Sequence, residues 1–154
     1  MGIRTAVSDV SFMKSLFTAA ERIAHDLGDP VMGAEHLVIA ALDRGDLDRS
    51  ELAPLPLDGP RFRAAVIAVH ADALGSLGVA GTSTPIDEEP RGALHSTSAA
   101  QAVFQDARRS ARARRAPLRA VDIIAAAARL DYGTTARAID RLGISRADLQ
   151  ALAR

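Results

Sequence analysis

Two acidic residues, Glu35 and Asp122, stand 87 positions apart in this 154-residue chain, each just ahead of a run of apolar residues. A carboxylate there lies in the first turn of a helix, where the positive end of the backbone dipole stabilises it by about 0.3–1 kcal/mol. A second candidate for chemistry is the basic run Arg108-Arg109-Ser110-Ala111-Arg112-Ala113-Arg114-Arg115, followed by Arg119. At helical spacing Arg108, Arg112 and Arg115 share a face that could contact phosphates. One Tyr and no Trp leave few platforms for base stacking, and a solvated helix face is the preferred reading of that stripe. The four histidines, His25, His36, His70 and His95, show no H-x-x-x-H or related spacing, so no metal centre is expected. His36 precedes six apolar residues and is expected as a hydrogen-bonded histidine of the core.

Enzymatic signatures are missing. The chain has no G-x-S-x-G elbow, no H-E-x-x-H and no G-x-x-x-x-G-K-[ST] phosphate loop; Gly75-x-x-Gly78-x-x-Gly81 has the wrong spacing and no Lys. The absence of Cys excludes thiol nucleophiles, disulfides and Cys-based zinc sites. No catalytic residue and no cofactor are assigned, and a non-enzymatic protein is expected. Met1 to Val10 lack the apolar stretch of a signal peptide, and nowhere do about 18 apolar residues run together, so a cytoplasmic protein with no membrane partner is expected.

The elements that position these residues occur twice. Phe17 to Val66 aligns without a gap on Phe104 to Ala153, matching Phe17 with Phe104, Ala20 with Ala107, Ala24 with Ala111, Pro30 with Pro117 and Leu55 with Leu142. The chain is read as two copies of one helical unit sharing a core. A length of 154 residues allows about 68–70% of the unfolded surface to be buried. The zero net charge hides a split: residues 1–99 carry 8 basic and 14 acidic side chains, residues 100–154 carry 11 and 5. That asymmetry favours attraction between the halves or an acidic partner for the second.

Leu16, Phe17, Ala20, Ile23, Ala24 and Leu27 keep the helical period, and Gly28 and Pro30 end that helix. A helix over Ala34 to Leu42, apolar on all sides, belongs in the middle of a core. Short helices are expected around Asp48 to Ala53 and from Pro60 to about Leu74. The segment from Gly75 to Gly92, with Asp87-Glu88-Glu89, reads as linker. In the second copy, Ser98 with Gln101 makes a capping box before a helix that Pro117 closes. Helices over about Arg119 to Arg129, Thr134 to Leu142 and Ser145 to Leu152 complete it, the last with Ser145 and Asp148 as a further capping signature. The domain plan is one all-α unit: repeat one over about 8–74, linker about 75–95, repeat two about 96–154.

Gly33-Ala34-Glu35-His36-Leu37-Val38-Ile39-Ala40-Ala41-Leu42, preceded by Ala24-His25-Asp26-Leu27-Gly28, resembles the Gly-Thr-Glu-His-Leu-Leu-Leu-Ala-Leu signature of the Clp N-terminal repeat. That repeat occurs twice in the amino-terminal domain of Clp-type AAA+ unfoldases. In the second copy the motif reads Ala120-Val121-Asp122-Ile123-Ile124-Ala125-Ala126-Ala127, with Leu142-Gly143-Ile144 similar to the family's phrase near each repeat's end. The resemblance covers about residues 8–153. It implies an all-α bundle of about eight helices in two pseudo-twofold-related four-helix repeats, a module that receives substrates or adaptor proteins of the Clp protease system. Some relatives recognise phosphoarginine-marked clients through the Glu of the Glu-His motif, which carries over to Glu35 and, in the second copy, to Asp122. A carboxylate can grip a guanidinium through paired, charge-assisted hydrogen bonds. Cyclic-peptide ligands bind some relatives near the opening of the second repeat, where Ser96-Thr97-Ser98 here depart from the family's aromatic and Thr-Pro. Without an ATPase such a module is expected to serve as adaptor, competitor or ligand-sequestering decoy. The alternative function is a nucleic-acid-binding regulator using the arginine-rich helix.

Overall fold

Helix α1 runs from Ile3 to Leu27 because Phe12, Leu16, Ala20, Ile23, Ala24 and Leu27 recur at intervals of three and four and bury one stripe. The computed structural model describes residues 3–78 and 96–154, with side chains from residue 8 onward. α1 ends where Gly28 enters the left-handed region at φ 76°, with Gly28 N–H bonded to His25 O and Asp29 N–H to Ala24 O. These bonds satisfy carbonyls that the last turn leaves without a helical partner.

Two helices follow in the first copy. α2, Ala34–Leu42, buries every residue except Glu35, which is part-exposed. α3, Gly59–Ser76, starts where Asp58 accepts the Arg61 N–H, with Pro60 in the first turn. The second copy comprises α4 (Ser98–Ala113), α5 (Ala120–Ala127), α6 (Thr134–Arg141) and α7 (Arg146–Ala151). All eight residues of α5 are buried.

The fold is all-α, with seven helices among the described residues where about eight were expected. The missing one is residues 48–53, which form a succession of turns closed by Glu51 N–H to Asp48 O, Leu52 to Arg49 and Ala53 to Ser50. Pro54 has no N–H to extend a helical ladder, and Pro56 disfavours helical backbone at Leu55. Their counterpart α6 contains no proline. The cap of α4 also differs by one residue: Thr97, not Ser98, accepts the Ala100 N–H, while Gln101 reaches back to Ser96 O. The expected linker lies mostly outside the described residues, as do His95 and Asp87-Glu88-Glu89; α3 continues through Ser76.

α2 and α5 pack against each other at the centre, covered by α1 on α2, α4 on α5, and α3 on α6. One continuous cluster joins both copies: Leu37, Ile39 and Leu42 from the first with Ile123, Ile124 and Leu149 from the second. Each such side chain, fully buried, contributes about 1.5–3 kcal/mol. The copies also exchange polar contacts. Thr97 N–H bonds to Met32 O at 2.9 Å, and Leu118 N–H bonds to Asp9 Oδ1 at 3.1 Å.

Candidate functional site at the start of the central helices

The N-terminus of α2 gathers four ionisable side chains from three parts of the chain. Gly33 caps the helix in extended backbone, and its N–H donates to His36 Nδ1 at 2.7 Å. Because Nδ1 accepts that bond, the neutral ring carries its proton on Nε2, which donates to Asp29 Oδ2 at 2.9 Å. His36 is thus the fully buried, hydrogen-bonded histidine its apolar surroundings require.

Glu35 precedes it by one residue and turns its carboxylate back across Gly33. A Cβ at position 33 would lie 2.2 Å from Glu35 Oε1, so only glycine leaves room for this rotamer. Thr135 Oγ1, from α6 of the other copy, donates to Glu35 Oε2 at 3.1 Å. On the other side His70, projecting from α3, brings Nδ1 to 4.0 Å from Asp29 Oδ2. One donor atom from each of Asp29, Glu35 and His70 lies within 4.8 Å of the others, all three residues being part-buried. Among the described residues neither Asp29 nor Glu35 has an arginine or lysine within salt-bridge distance; histidines are the basic groups beside them. The result is a part-buried acidic cluster whose carboxylates are held by hydrogen bonds from His36 and Thr135.

The start of α5 is built differently. Asp122 Oδ2 accepts the N–H of the cap residue Arg119 at 2.9 Å. Arg114 Nη2 lies 3.0 Å from Oδ2 and 2.8 Å from Oδ1, and Arg114 Nη1 donates to Ala153 O at 2.6 Å. The Asp122 side chain is fully enclosed. Arg119 in turn reaches Glu51 of the first copy at 3.2 Å. The second copy therefore fills its own acidic position with its own guanidinium.

The two acids are not in equivalent places. Asp122, third residue of its helix, bonds the cap N–H as His36 does in the first copy. The place of Glu35 is taken by buried Val121. One residue fewer separates Pro117 from the cap Arg119 than separates Pro30 from Gly33, so the offset here is 86 instead of 87. It returns to 87 at the caps Asp58 and Ser145, which accept the N–H groups of Arg61 and Asp148. A gapless alignment could not register a deletion in one loop compensated in the next.

The arginine stripe is broken as well. Arg108 and Arg112 are exposed on α4, Arg108 lying over the Phe104 ring at 5.8 Å. Arg115 lies beyond the end of the helix at φ 56°, off the face the other two share. Arg109 is paired with Asp106, and Arg114 points inward.

Asp29 and Thr135 escaped the reading of the sequence, His70 was set aside there as a metal ligand for want of motif spacing, and Arg114 was read only as part of the basic run. The packing of α3 and α6 beside α2 brings His70 and Thr135 to the side chains of the α1–α2 segment. No helix of the described residues is long and apolar enough to cross a membrane.

No family model matches the sequence, and no curated protein does. The architecture does have a solved counterpart. The crystal structure of the N-terminal domain of the caseinolytic protease associated chaperone ClpD from Arabidopsis thaliana superposes with a TM-score of 0.66. The match covers 92% of this chain and 88% of that one at 16% identity. Seven helices in the order found here, packed around α2 and α5, have the fold of a Clp N-terminal domain.

Proposed function

We propose that the chain is a non-enzymatic protein- or peptide-binding module of the Clp system, and that the acidic cluster at Glu35 and Asp29 is where it takes a cationic side chain of its partner. The observation behind this reading is the contrast between the copies. Asp122 is closed by Arg114, whereas the part-exposed carboxylates of Glu35 and Asp29 have no arginine or lysine within salt-bridge distance among the described residues. A guanidinium is the group best matched to such a site, since it can span carboxylate oxygens with parallel N–H donors. Arginine-bearing clients fit that chemistry; a phosphoarginine-marked client would be held through its guanidinium with the phosphoryl group turned away from the carboxylates, and cyclic-peptide ligands are a further class to test. On this reading the module acts by capture, as adaptor, competitor or decoy.

Calorimetry with arginine and phosphoarginine peptides tests the reading. Glu35→Gln removes the charge and keeps the shape, and it should weaken binding about 10- to 100-fold, the range of a lost charge-assisted hydrogen bond. Equal affinity in wild type and variant overturns the assignment.

A further inference from the structure

We propose that Asp29, Glu35 and His70 form a binding site for one divalent transition-metal cation of the zinc type, a site that shares Asp29 and Glu35 with the peptide-binding reading but does not rest on it. Two carboxylate oxygens and one imidazole nitrogen, drawn from the α1–α2 loop, α2 and α3, lie within 4.8 Å of one another. Tetrahedral ligation with bonds of about 2.0–2.2 Å sets donor atoms roughly 3.4 Å apart. The side chains are 15–28% exposed, and closing from the present spacing of up to 4.8 Å is the adjustment that binding would require. Three protein ligands with a fourth position open is the arrangement of zinc sites that accept an exogenous ligand.

The surroundings are those a metal site requires. Asp29 is oriented by His36, a fully buried imidazole that donates Nε2–H to it and is fixed in that tautomer by Gly33 N–H. Glu35 is oriented by the Thr135 hydroxyl and by the space at Gly33. Such outer contacts fix ligand geometry and support affinity in metal sites. The two negative charges, with no arginine or lysine beside them among the described residues, also supply the electrostatic attraction for a doubly charged ion. One carboxylate of the pair bonded to an arginine would have argued against a metal, as Asp122 does in the second copy.

The test uses the untagged full chain and the metal alone. Zinc titrated by calorimetry should bind one equivalent, and cobalt(II) in its place should give the visible absorption of a low-coordinate site. His70→Ala and Asp29→Asn should each lower zinc affinity at least about tenfold and abolish the cobalt band, with circular dichroism confirming the helical fold of each variant. Absence of binding by the wild type at micromolar zinc overturns the proposal, as does undiminished binding by both variants. Since no peptide is present, this result is separate from the outcome of the peptide experiment.

Discussion

Phe17 and Phe104, which occupy the same place in the two copies, touch each other edge to face with ring centroids 4.9 Å apart and planes inclined at 68°. A residue can meet its own counterpart only close to the axis that relates the copies, so this pair marks where the repeats turn onto one another. Truncating either ring to Ala should destabilise the chain. The double variant should fall short of the sum of the singles by about 0.5–1.5 kcal/mol, read from urea unfolding of the four proteins. Full additivity would place the contact outside the stability of the fold.

Gly28 and Arg115, again 87 positions apart, close α1 and α4 with the same pattern of bonds and both in left-handed backbone, at φ 76° and 56°. For a residue with a Cβ that conformation costs about 1–2 kcal/mol. Arg115→Gly should therefore stabilise the protein by about 0.5–1 kcal/mol and raise the melting temperature, whereas Gly28→Ala should destabilise it by about 1 kcal/mol or more. Opposite signs at equivalent positions, in paired thermal melts, are the expected result.

Arg114 neutralises a carboxylate that has no access to water. Arg114→Met keeps much of the bulk and leaves the buried Asp122 with only the Arg119 N–H and the more distant Arg119 Nε at 4.0 Å, for which about 3 kcal/mol of destabilisation is expected. Adding Asp122→Asn, which can still accept the Arg119 N–H, should recover a large part of that loss. Chemical unfolding of the single and double variants measures both quantities. An Arg114→Met protein as stable as wild type would mean that the pair is dispensable.

Gly33 has φ −97° and ψ 176°, backbone that any residue adopts, yet its missing side chain makes the space for the Glu35 carboxylate. Gly33→Ala should push that carboxylate aside while changing stability by less than about 1 kcal/mol. Peptide and zinc titrations should then show weakened binding on an unaltered melting curve. A variant that binds as wild type does would show that binding does not depend on the rotamer of Glu35.

The helices were legible because their signals are local. Apolar residues every three or four positions outlined α1 and α4, and the all-apolar run from Leu37 to Leu42 announced a central helix. Gly28, Pro60 and Ser145 marked boundaries by their own backbone or capping chemistry. Residues 48–53 carried enough helical pattern to be read as a helix, but Pro54 and Pro56 outweighed it. The acidic cluster was half legible: Glu35 stood in a motif, whereas Asp29, in the loop before α2, carried no motif spacing and His70 becomes a neighbour only through the packing of α3 beside α2. The misplaced equivalence of Asp122 came from a one-residue loop difference, invisible to residue types but plain in which side chain bonds the cap N–H.

Because each central helix is covered on one side by a helix of its own copy and on another by the central helix of the opposite copy, neither repeat owns a complete interior. A fragment carrying one repeat would present α2 or α5 to water along the face that its sibling now conceals. Two fragments made by cutting between Gly78 and Ser96 should accordingly reassociate into the parental structure.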